Sequence, residues 1–187
     1  MGKKWELWKL VFFTAQQNRR IAYPSKGRLL ADARQLLARV GLLQEPQIGA
    51  TLQAETFALR AADIPACVAA GAVEYGITGL DLVLESDADV RVCAALPFGF
   101  CRLVLAGPPD ANASRLEGRR IATSFPRLTR AFLSGKKVRA QIVEFSGSVE
   151  QSVRLGLADF VVDLVQTGRT LRENGLEAKQ EIMSSSA

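Results

Sequence analysis

From Arg20 onward, short apolar runs alternate with segments of helical periodicity, and this alternation constrains the fold more than any other feature of the chain. Arg20 to Tyr23 predicts a first strand. Apolar residues then recur at helical spacing from Leu29 to Val40, until Gly41 ends the helix. Strands that alternate with helices in this way build parallel sheets with crossover helices. The sequence therefore predicts an α/β protein.

The pattern divides into two series on either side of one strongly apolar strand, Arg102 to Ala106, which leads into Gly107-Pro108-Pro109. The first series continues with strands predicted at 56–60 and 73–78 and with helices capped by Asp63 and Asp81. The second series contains strands predicted at 120–123, 138–145 and 160–165 and helices at 126–133 and 148–155. Two series joined by a crossing strand indicate two lobes with a cleft between them.

The turn after the strand Phe160 to Val165 has the residues to hold a sugar phosphate, because ligands of open α/β sheets bind beyond the carboxyl ends of strands. Asp163 interrupts the apolar strand, where a carboxylate needs partners and could accept hydrogen bonds from two ribose hydroxyls. Gly168 lets the backbone approach an anion, and Thr167 and Thr170 add hydroxyl donors. The alternative is an ordinary turn in which Thr170 caps the next helix.

A second polar turn, Ser146 to Glu150, also follows an apolar strand and opens a helix. Ser148 is placed to cap that helix, with Glu150 in its first turn. The turn can form another wall of the same pocket, with Glu150 near a ribose hydroxyl or a bound Mg²⁺. A capped helix start without a binding role is the other interpretation.

The first strand ends in the turn Pro24-Ser25-Lys26-Gly27-Arg28, which places two cations beside a glycine. Lone basic residues at such a position are usually solvated. A lysine and an arginine that flank a glycine at a strand end suit a polyphosphate, which arginine can bind through two N–H groups. This turn therefore predicts an anion site in the first lobe.

Composition excludes several classes of function. The 187 residues are 48% hydrophobic and 23% charged, as in globular proteins, and the lack of histidine excludes Ser-His and Cys-His catalysis and His-ligated metals. Cys67, Cys93 and Cys101 lack metal-site spacing, so we interpret them as reduced thiols of a cytosolic protein. Residues 1–20 contain five cations and one acid, which is +4 of the net +5, and the nearly neutral remainder argues against nucleic-acid binding.

The apolar stretch Trp5 to Phe13 follows two lysines, but Glu6 and Lys9 interrupt it and it is too short to span a bilayer. We interpret residues 1–19 as a loosely attached leader and predict no membrane segment. A docking or membrane-surface helix is the alternative, because Trp5, Trp8 and Phe12 would share one helical face.

The order of these motifs resembles that of the catalytic subunit of ATP phosphoribosyltransferase, short form. The matching stretches are Pro24 to Leu30, Arg60 to Pro65, Gly76 to Asp81, Pro97 to Leu103, Arg120 to Thr123 with Pro126 and Thr129, Ser146 to Glu150, and Gly156 to Leu176. They cover most of residues 20–183 in the family's order. This collinearity, rather than any single motif, carries the resemblance.

The resemblance implies a two-lobed fold like that of the type II periplasmic binding proteins, with residues 20–104 and 177–187 in the first lobe and 105–176 in the second. It implies that phosphoribosyl pyrophosphate lies in the second lobe and ATP across the cleft, with Arg28 and Asp163 as catalytic residues. The residues implied to bind phosphoribosyl pyrophosphate are Ser146, Gly147, Ser148, Glu150, Asp163, Thr167, Gly168, Arg169 and Thr170. Those implied to bind ATP are Lys26, Gly27, Arg28 and Asp81.

The implied reaction is attack of adenine N1 on the anomeric carbon, which expels pyrophosphate with help from Mg²⁺ and needs no side-chain nucleophile. We expect Arg28→Ala and Asp163→Ala to impair turnover without unfolding the protein. The resemblance also implies a cytoplasmic homodimer inside a hetero-oligomer with a histidyl-tRNA-synthetase-like regulatory subunit.

The chain departs from the family pattern at two places. No Lys or Arg occurs between Arg39 and Arg60, where the family has basic residues on a strand that reaches nucleotide phosphates. Beyond Ala187 the family has one more strand returning to the first lobe, and a chain without it would expose a sheet edge. Two alternatives follow: a catalytically degenerate homologue, and a binding module that closes on a small anion without chemistry.

Overall fold

A computed structural model of the chain describes residues 19–43 and 54–187. In chain order its elements are β1 (Arg19–Pro24), α1 (Leu30–Arg39), β2 (Ala54–Leu59), α2 (Ile64–Ala69), β3 (Tyr75–Gly76), α3 (Leu80–Ser86), β4 (Cys101–Gly107), β5 (Arg120–Thr123), α4 (Pro126–Gly135), β6 (Gln141–Glu144), α5 (Gln151–Arg154), β7 (Phe160–Val165), α6 (Arg169–Glu173) and β8 (Glu177–Ser185). The predicted leader, apart from Arg19, lies outside the described residues. Residues 44–53 of the interval without cations lie outside them as well.

The first sheet has the strand order β2-β1-β3, and all its strands are parallel. Ala33 and Leu37 of α1 pack on Ile21 of β1, and Ile64 of α2 packs on Ala22, which points to the other face of the same strand. β3 is shorter than the strand predicted at 73–78. The backbone N–H of Val73 instead bonds Cys67 O near the end of α2. Val73 therefore bonds the helix rather than a neighbouring strand.

The second sheet has the strand order β6-β5-β7-β4-β8. β5, β6 and β7 are parallel, whereas β4 runs antiparallel to both β7 and β8. Val104 and Val161 belong to the core on one face of this sheet, and Leu105 and Val162 belong to the core on the other face. Strands that are buried on both faces read as near-continuous apolar runs, which is why the sequence predicts β4 and β7 closely.

β8 pairs along the whole of β4, so residues 177–185 lie in the second sheet rather than with the first lobe, where the sequence analysis assigned 177–187. The whole of β4, including residues 101–104, lies in the second sheet for the same reason. The last two residues do bond the first lobe. Ser186 O accepts the N–H of Leu80 at 2.9 Å, and Ala187 O accepts the N–H of Leu96 at 2.7 Å. β4 and β8 together therefore join the two lobes.

The lobes also meet between α3 and α4. The carboxylate of Glu85 accepts the backbone N–H groups of Arg127 and Leu128 at 2.8 and 2.9 Å, and Asp87 forms an ion pair with the Arg127 side chain. Glu85 thus occupies the N-terminus of α4, where free amides and the helix dipole favour a negative charge. A carboxylate of the first lobe in this way accepts the free N–H groups at the start of a helix of the second lobe.

The helix caps at Asp81 and Ser148 predicted from the sequence are wrong. α3 begins at Leu80 after Gly79, so Asp81 lies inside the helix with its side chain buried. Ser148 has a positive φ of 49°, and α5 begins only at Gln151 after Glu150. No helix in the described part of the chain is both long and apolar enough to cross a membrane.

Candidate functional site

Asp163 lies near the carboxyl end of β7, opposite Val104 of β4. The backbone N–H of Leu164 donates to its Oδ1 at 2.8 Å, and no other group in 19–43 or 54–187 donates to this carboxylate. Loss of water around Asp163 raises its pKa to about 6; the Leu164 N–H opposes this shift, and the negative charge of Glu150 adds to it. The carboxylate therefore has unused acceptor positions and gains from any hydroxyl that donates to it.

The turn after β7 has a backbone that only glycine adopts readily. Gly168 has φ 73°, and α6 begins directly after it. Because the residue before this helix is Gly168, the interpretation of Thr170 as its N-terminal cap does not hold. The Arg172 side chain donates to Thr167 O at 3.2 Å, whereas the side chains of Thr167 and Thr170 are exposed. The Arg172 side chain thus fixes the backbone of the turn, while the side chains of Thr167 and Thr170 face solvent.

The turn 146–150 lies at the same edge of the second sheet. β6, which precedes it, and β7 both flank β5 in parallel, so their carboxyl ends lie at the same edge of the sheet, with the end of β5 between them. Gln151 Nε2 donates to Asn174 Oδ1 at 3.0 Å and so links the helices that follow the two turns. Ser146, Gly147 and Ser148 are exposed, while Val149 is buried and anchors the turn. The structure brings together the two turns that the sequence assigned to one pocket.

In the first lobe, Arg28 and Asp81 form an ion pair of 2.6 Å between Nη2 and Oδ1. Asp81 is fully buried and the Arg28 side chain is 19% exposed, whereas Lys26 and Gly27 lie on the surface of the turn after β1. Asp81 can therefore reach a ligand only through Arg28. Arg28→Ala would leave a buried charge unpaired, which typically lowers stability by about 3–5 kcal/mol, so the turnover of that variant must be compared with its folding.

Ser185 is a residue of this site that the sequence analysis did not identify. Its hydroxyl lies 2.5 Å from Asp81 Oδ1, although 104 positions separate the two residues in the chain. A polar strand that ends in consecutive serines gives no sign of which hydroxyl is buried. Only the pairing of β8 with β4, which turns Ser185 inward, reveals it.

No group of three His, Cys, Asp or Glu side chains in the described part of the chain could hold a metal ion by itself. Mg²⁺ usually binds one or two carboxylates together with phosphate oxygens and waters. Glu150 and Asp163 supply two carboxylates at one sheet edge, and Asp163 has unused acceptor positions. These residues fit an Mg²⁺ ion that shares its coordination with a phosphorylated ligand.

Two lobes, paired connecting strands and a polar turn at the strand ends of each lobe define the class: an α/β protein of a cleft-forming, ligand-binding fold. The profile of the ATP phosphoribosyltransferase family matches residues 60–187. An ATP phosphoribosyltransferase of Natronomonas pharaonis is 45% identical in an alignment of 178 positions that covers 89% of this chain and 63% of that protein. The chain belongs to the ATP phosphoribosyltransferase family.

Solved structures agree with both the fold and the family. A chain of the ATP phosphoribosyl transferase (HisG:HisZ) complex from Thermotoga maritima matches with a TM-score of 0.79 and 32% identity over 90% of this chain and 84% of that one. A periplasmic binding protein from Brucella ovis with glutathione bound matches in fold alone, with a TM-score of 0.55 and 10% identity over 100% of this chain and 64% of that one. The predicted two-lobed fold is confirmed. The chain spans 58–63% of the length of the first three curated relatives it matches.

Proposed function

We propose that this chain transfers the phosphoribosyl group of phosphoribosyl pyrophosphate to N1 of ATP, which gives phosphoribosyl-ATP and pyrophosphate in the first step of histidine biosynthesis. The observation that carries the proposal is the carboxylate of Asp163, with unused acceptor positions, between the turns 146–150 and 166–170. Membership of the ATP phosphoribosyltransferase family supports the same reaction.

The second lobe holds phosphoribosyl pyrophosphate in this proposal. Above pH 6 Asp163 is ionised and accepts hydrogen bonds from the two ribose hydroxyls, which add to the hydrogen bond from the Leu164 N–H. The backbone and hydroxyl groups around Gly168, with the exposed side chain of Arg169, bind the phosphate. The exposed turn 146–148 closes the other side of the sugar.

The first lobe holds the polyphosphate of ATP. Lys26 is exposed at the end of β1, and Gly27, with φ 84°, allows the backbone to turn toward the ligand. Arg28 extends from the same turn with its guanidinium fixed by Asp81. This arrangement gives one exposed cation and one cation fixed by an ion pair for a polyanion.

The reaction needs placement more than proton transfer. The bond from adenine N1 to the anomeric carbon forms as the bond from that carbon to the pyrophosphate oxygen breaks, and the pyrophosphate leaves with the electron pair. Arg28 and Lys26 hold the ATP polyphosphate so that adenine N1 reaches the anomeric carbon, while Asp163 holds the ribose in line. When bound, Mg²⁺ would lie at Glu150 and Asp163 and neutralise part of the pyrophosphate charge.

We further propose that the protein acts in the cytoplasm as a homodimer within a hetero-oligomer. The Thermotoga maritima chain that it resembles was solved as part of a HisG:HisZ complex. A regulatory subunit that resembles histidyl-tRNA synthetase is the partner that this arrangement suggests.

The test is the absorbance of phosphoribosyl-ATP when the purified chain receives ATP, phosphoribosyl pyrophosphate and Mg²⁺, with excess pyrophosphatase to pull the reaction forward. We expect product only when both substrates are present. Asp163→Asn should lower kcat/KM by at least about a hundredfold, because the ribose loses its charged acceptor. Asp110→Asn is the matched control, because Asp110 is exposed and lies outside both turns.

No product from the unmodified chain, either alone or with a HisZ-type partner added, would contradict the proposal. If phosphoribosyl pyrophosphate still raised the melting temperature, the chain would be a binding module with an intact second lobe.

A further inference from the structure

We infer that Ser185 is a positioning residue for ATP: its hydroxyl fixes the Asp81 carboxylate, and Asp81 in turn holds the guanidinium of Arg28 ready for the polyphosphate. The inference rests on the proposed function, because it assigns Arg28 to ATP. Ser185 does not touch the reacting atoms, so its effect must pass through Asp81 and Arg28.

Ser185 and Asp81 are joined by two hydrogen bonds in opposite directions. The Ser185 hydroxyl donates to Asp81 Oδ1 at 2.5 Å, and the same Oγ accepts the backbone N–H of Asp81 at 3.0 Å. Both residues are buried, where hydrogen bonds to a charge are stronger than in water. The rotamer of Asp81 is therefore set by the end of β8, a strand of the second sheet.

Asp81 has no spare support that could replace Ser185. Its Oδ2 is buried without a hydrogen-bond partner in the described residues, so Oδ1 alone receives both Arg28 and Ser185. Cys101 is the Cα partner of Ser185 on β4, and burial raises the pKa of its thiol, so it stays neutral and adds no charge to the cluster. Removal of the serine hydroxyl leaves the buried carboxylate with a single cationic partner.

Gly79 leaves the space that the Arg28–Asp81 ion pair occupies. A Cβ at this position would collide with Asp81 Oδ1 and lie 2.7 Å from Arg28 Nη2. Its φ of −82° is open to any residue, so backbone strain does not require a glycine here. The position must stay small because the Arg28–Asp81 pair fills the adjacent space.

The pair leaves one edge of Arg28 for a ligand. Nη2 bonds Asp81, and Nε donates to Gly99 O at 3.3 Å. Within 19–43 and 54–187, Nη1 has no acceptor, and 19% of the side chain remains exposed. Two of the three nitrogens are thus fixed to protein, and the third is free to bind phosphate oxygen in a preset direction.

The experiment compares Ser185→Ala with Ser184→Ala in steady-state assays that vary ATP and phosphoribosyl pyrophosphate separately. Ser184 is the neighbour on the same strand, but it is exposed, and among the described residues its hydroxyl bonds only Glu181. We expect Ser185→Ala to raise the KM for ATP about tenfold, because a hydrogen bond to a buried charge is lost, with a change below about threefold in the KM for phosphoribosyl pyrophosphate. Ser184→Ala should match the wild type in both, and Ser185→Thr, which keeps the hydroxyl, should restore the KM for ATP.

Equal KM values for ATP in Ser185→Ala and the wild type would overturn the inference, as would an equal rise for both substrates. If Ser185→Ala does not fold, Gly79→Ala replaces it and should show the same selective rise. If the wild type forms no product, the proposed function fails, and the inference is then decided by calorimetric titration with ATP alone. Tenfold weaker ATP binding by Ser185→Ala supports it, whereas equal binding, or no ATP binding by the wild type, overturns it.

Discussion

When it is ionised, Asp163 lowers the free energy of unfolding relative to a neutral residue of the same size. Its ordinary pKa is 3.8, and desolvation raises the pKa to about 6 in the folded protein. A raised carboxyl pKa means that the protonated form stabilises the fold fully below about pH 4 and that this stabilisation is lost as the pH rises through 6. At pH 7 and above, the ionised carboxylate lowers the free energy of unfolding by up to about 3 kcal/mol.

Asp163→Asn should therefore stabilise the free protein at high pH while it abolishes most turnover. We expect the melting temperature of the variant to exceed that of the wild type by several degrees at pH 7.5, roughly 2–4 °C per kcal/mol gained. At pH 3 the two should differ little, because Asp163 is then protonated in both the folded and the unfolded chain. Calorimetric melting at both pH values measures this, with Asp110→Asn as the control. The same difference at both pH values would contradict the raised pKa.

At the residue scale, the sequence predicted what depends on local pattern. Asp163 stood out because it interrupts an apolar strand, and Gly168 because it separates two threonines. The turn at Gly79 predicts Asp81 as a helix cap, yet the partners of its side chain are Arg28 and Ser185. Contacts between residues so distant in sequence leave no local pattern, so the contacts among Arg28, Asp81 and Ser185 could not be predicted.

Within the second sheet, the strands predicted most closely are β4, β5 and β7, which lie inside that sheet. β4 and β7 are apolar over most of their length. β8 was missed as a strand of that sheet. It reads Glu-Ala-Lys-Gln-Glu-Ile-Met-Ser-Ser, lies at an edge, and has two register irregularities against β4. Charged residues on edge strands prevent pairing with other chains, and they also remove the apolar pattern that would reveal the strand.

The contact of α2 with β3 leaves no room for a side chain at Gly76. A Cβ there would collide with Ile64 Cγ2 and lie 3.2 Å from Val68 Cγ2, both on α2. We expect Gly76→Ala to lower the free energy of unfolding by about 1–3 kcal/mol, since the helix must move away from the sheet. Gly135→Ala, at the end of α4 with no atom within 4 Å, should instead be neutral or stabilise by up to about 1 kcal/mol. Denaturant unfolding compares the two, and equal effects would show that α2 is not tightly packed.

At the scale of the whole molecule, the two candidate anion sites belong to different sheets. β4 and β8 cross between the lobes, and the residues that follow β8 bond Leu80 and Leu96 of the first lobe. Ser185 lies at the point where β8 enters that lobe, beside the ion pair of the ATP side. A change in the direction of β8 would therefore alter the site around Arg28 as well as the angle between the lobes.

Glu85 is the residue through which the lobe arrangement can be tested. Its carboxylate accepts both the Arg127 and the Leu128 N–H groups at the start of α4, and it belongs to the first lobe. Glu85→Ala removes the cap, so we expect a loss of about 1 kcal/mol in the free energy of unfolding. We also expect a larger radius of gyration in small-angle scattering without substrates, because the exposed Asp87–Arg127 ion pair is then the polar contact that is left between α3 and α4 in the described residues.

Glu144→Ala is the control for that measurement, because it removes an exposed ion pair with Arg130 inside the second lobe. Such a pair contributes at most about 1 kcal/mol and does not connect the lobes, so the radius of gyration should stay at the wild-type value. A combination of phosphoribosyl pyrophosphate and ATP should return Glu85→Ala to the wild-type radius, because ligands that bind both lobes favour the closed arrangement. If Glu85→Ala scatters like Glu144→Ala without substrates, Glu85 does not help to set the angle between the lobes and acts only as a helix cap.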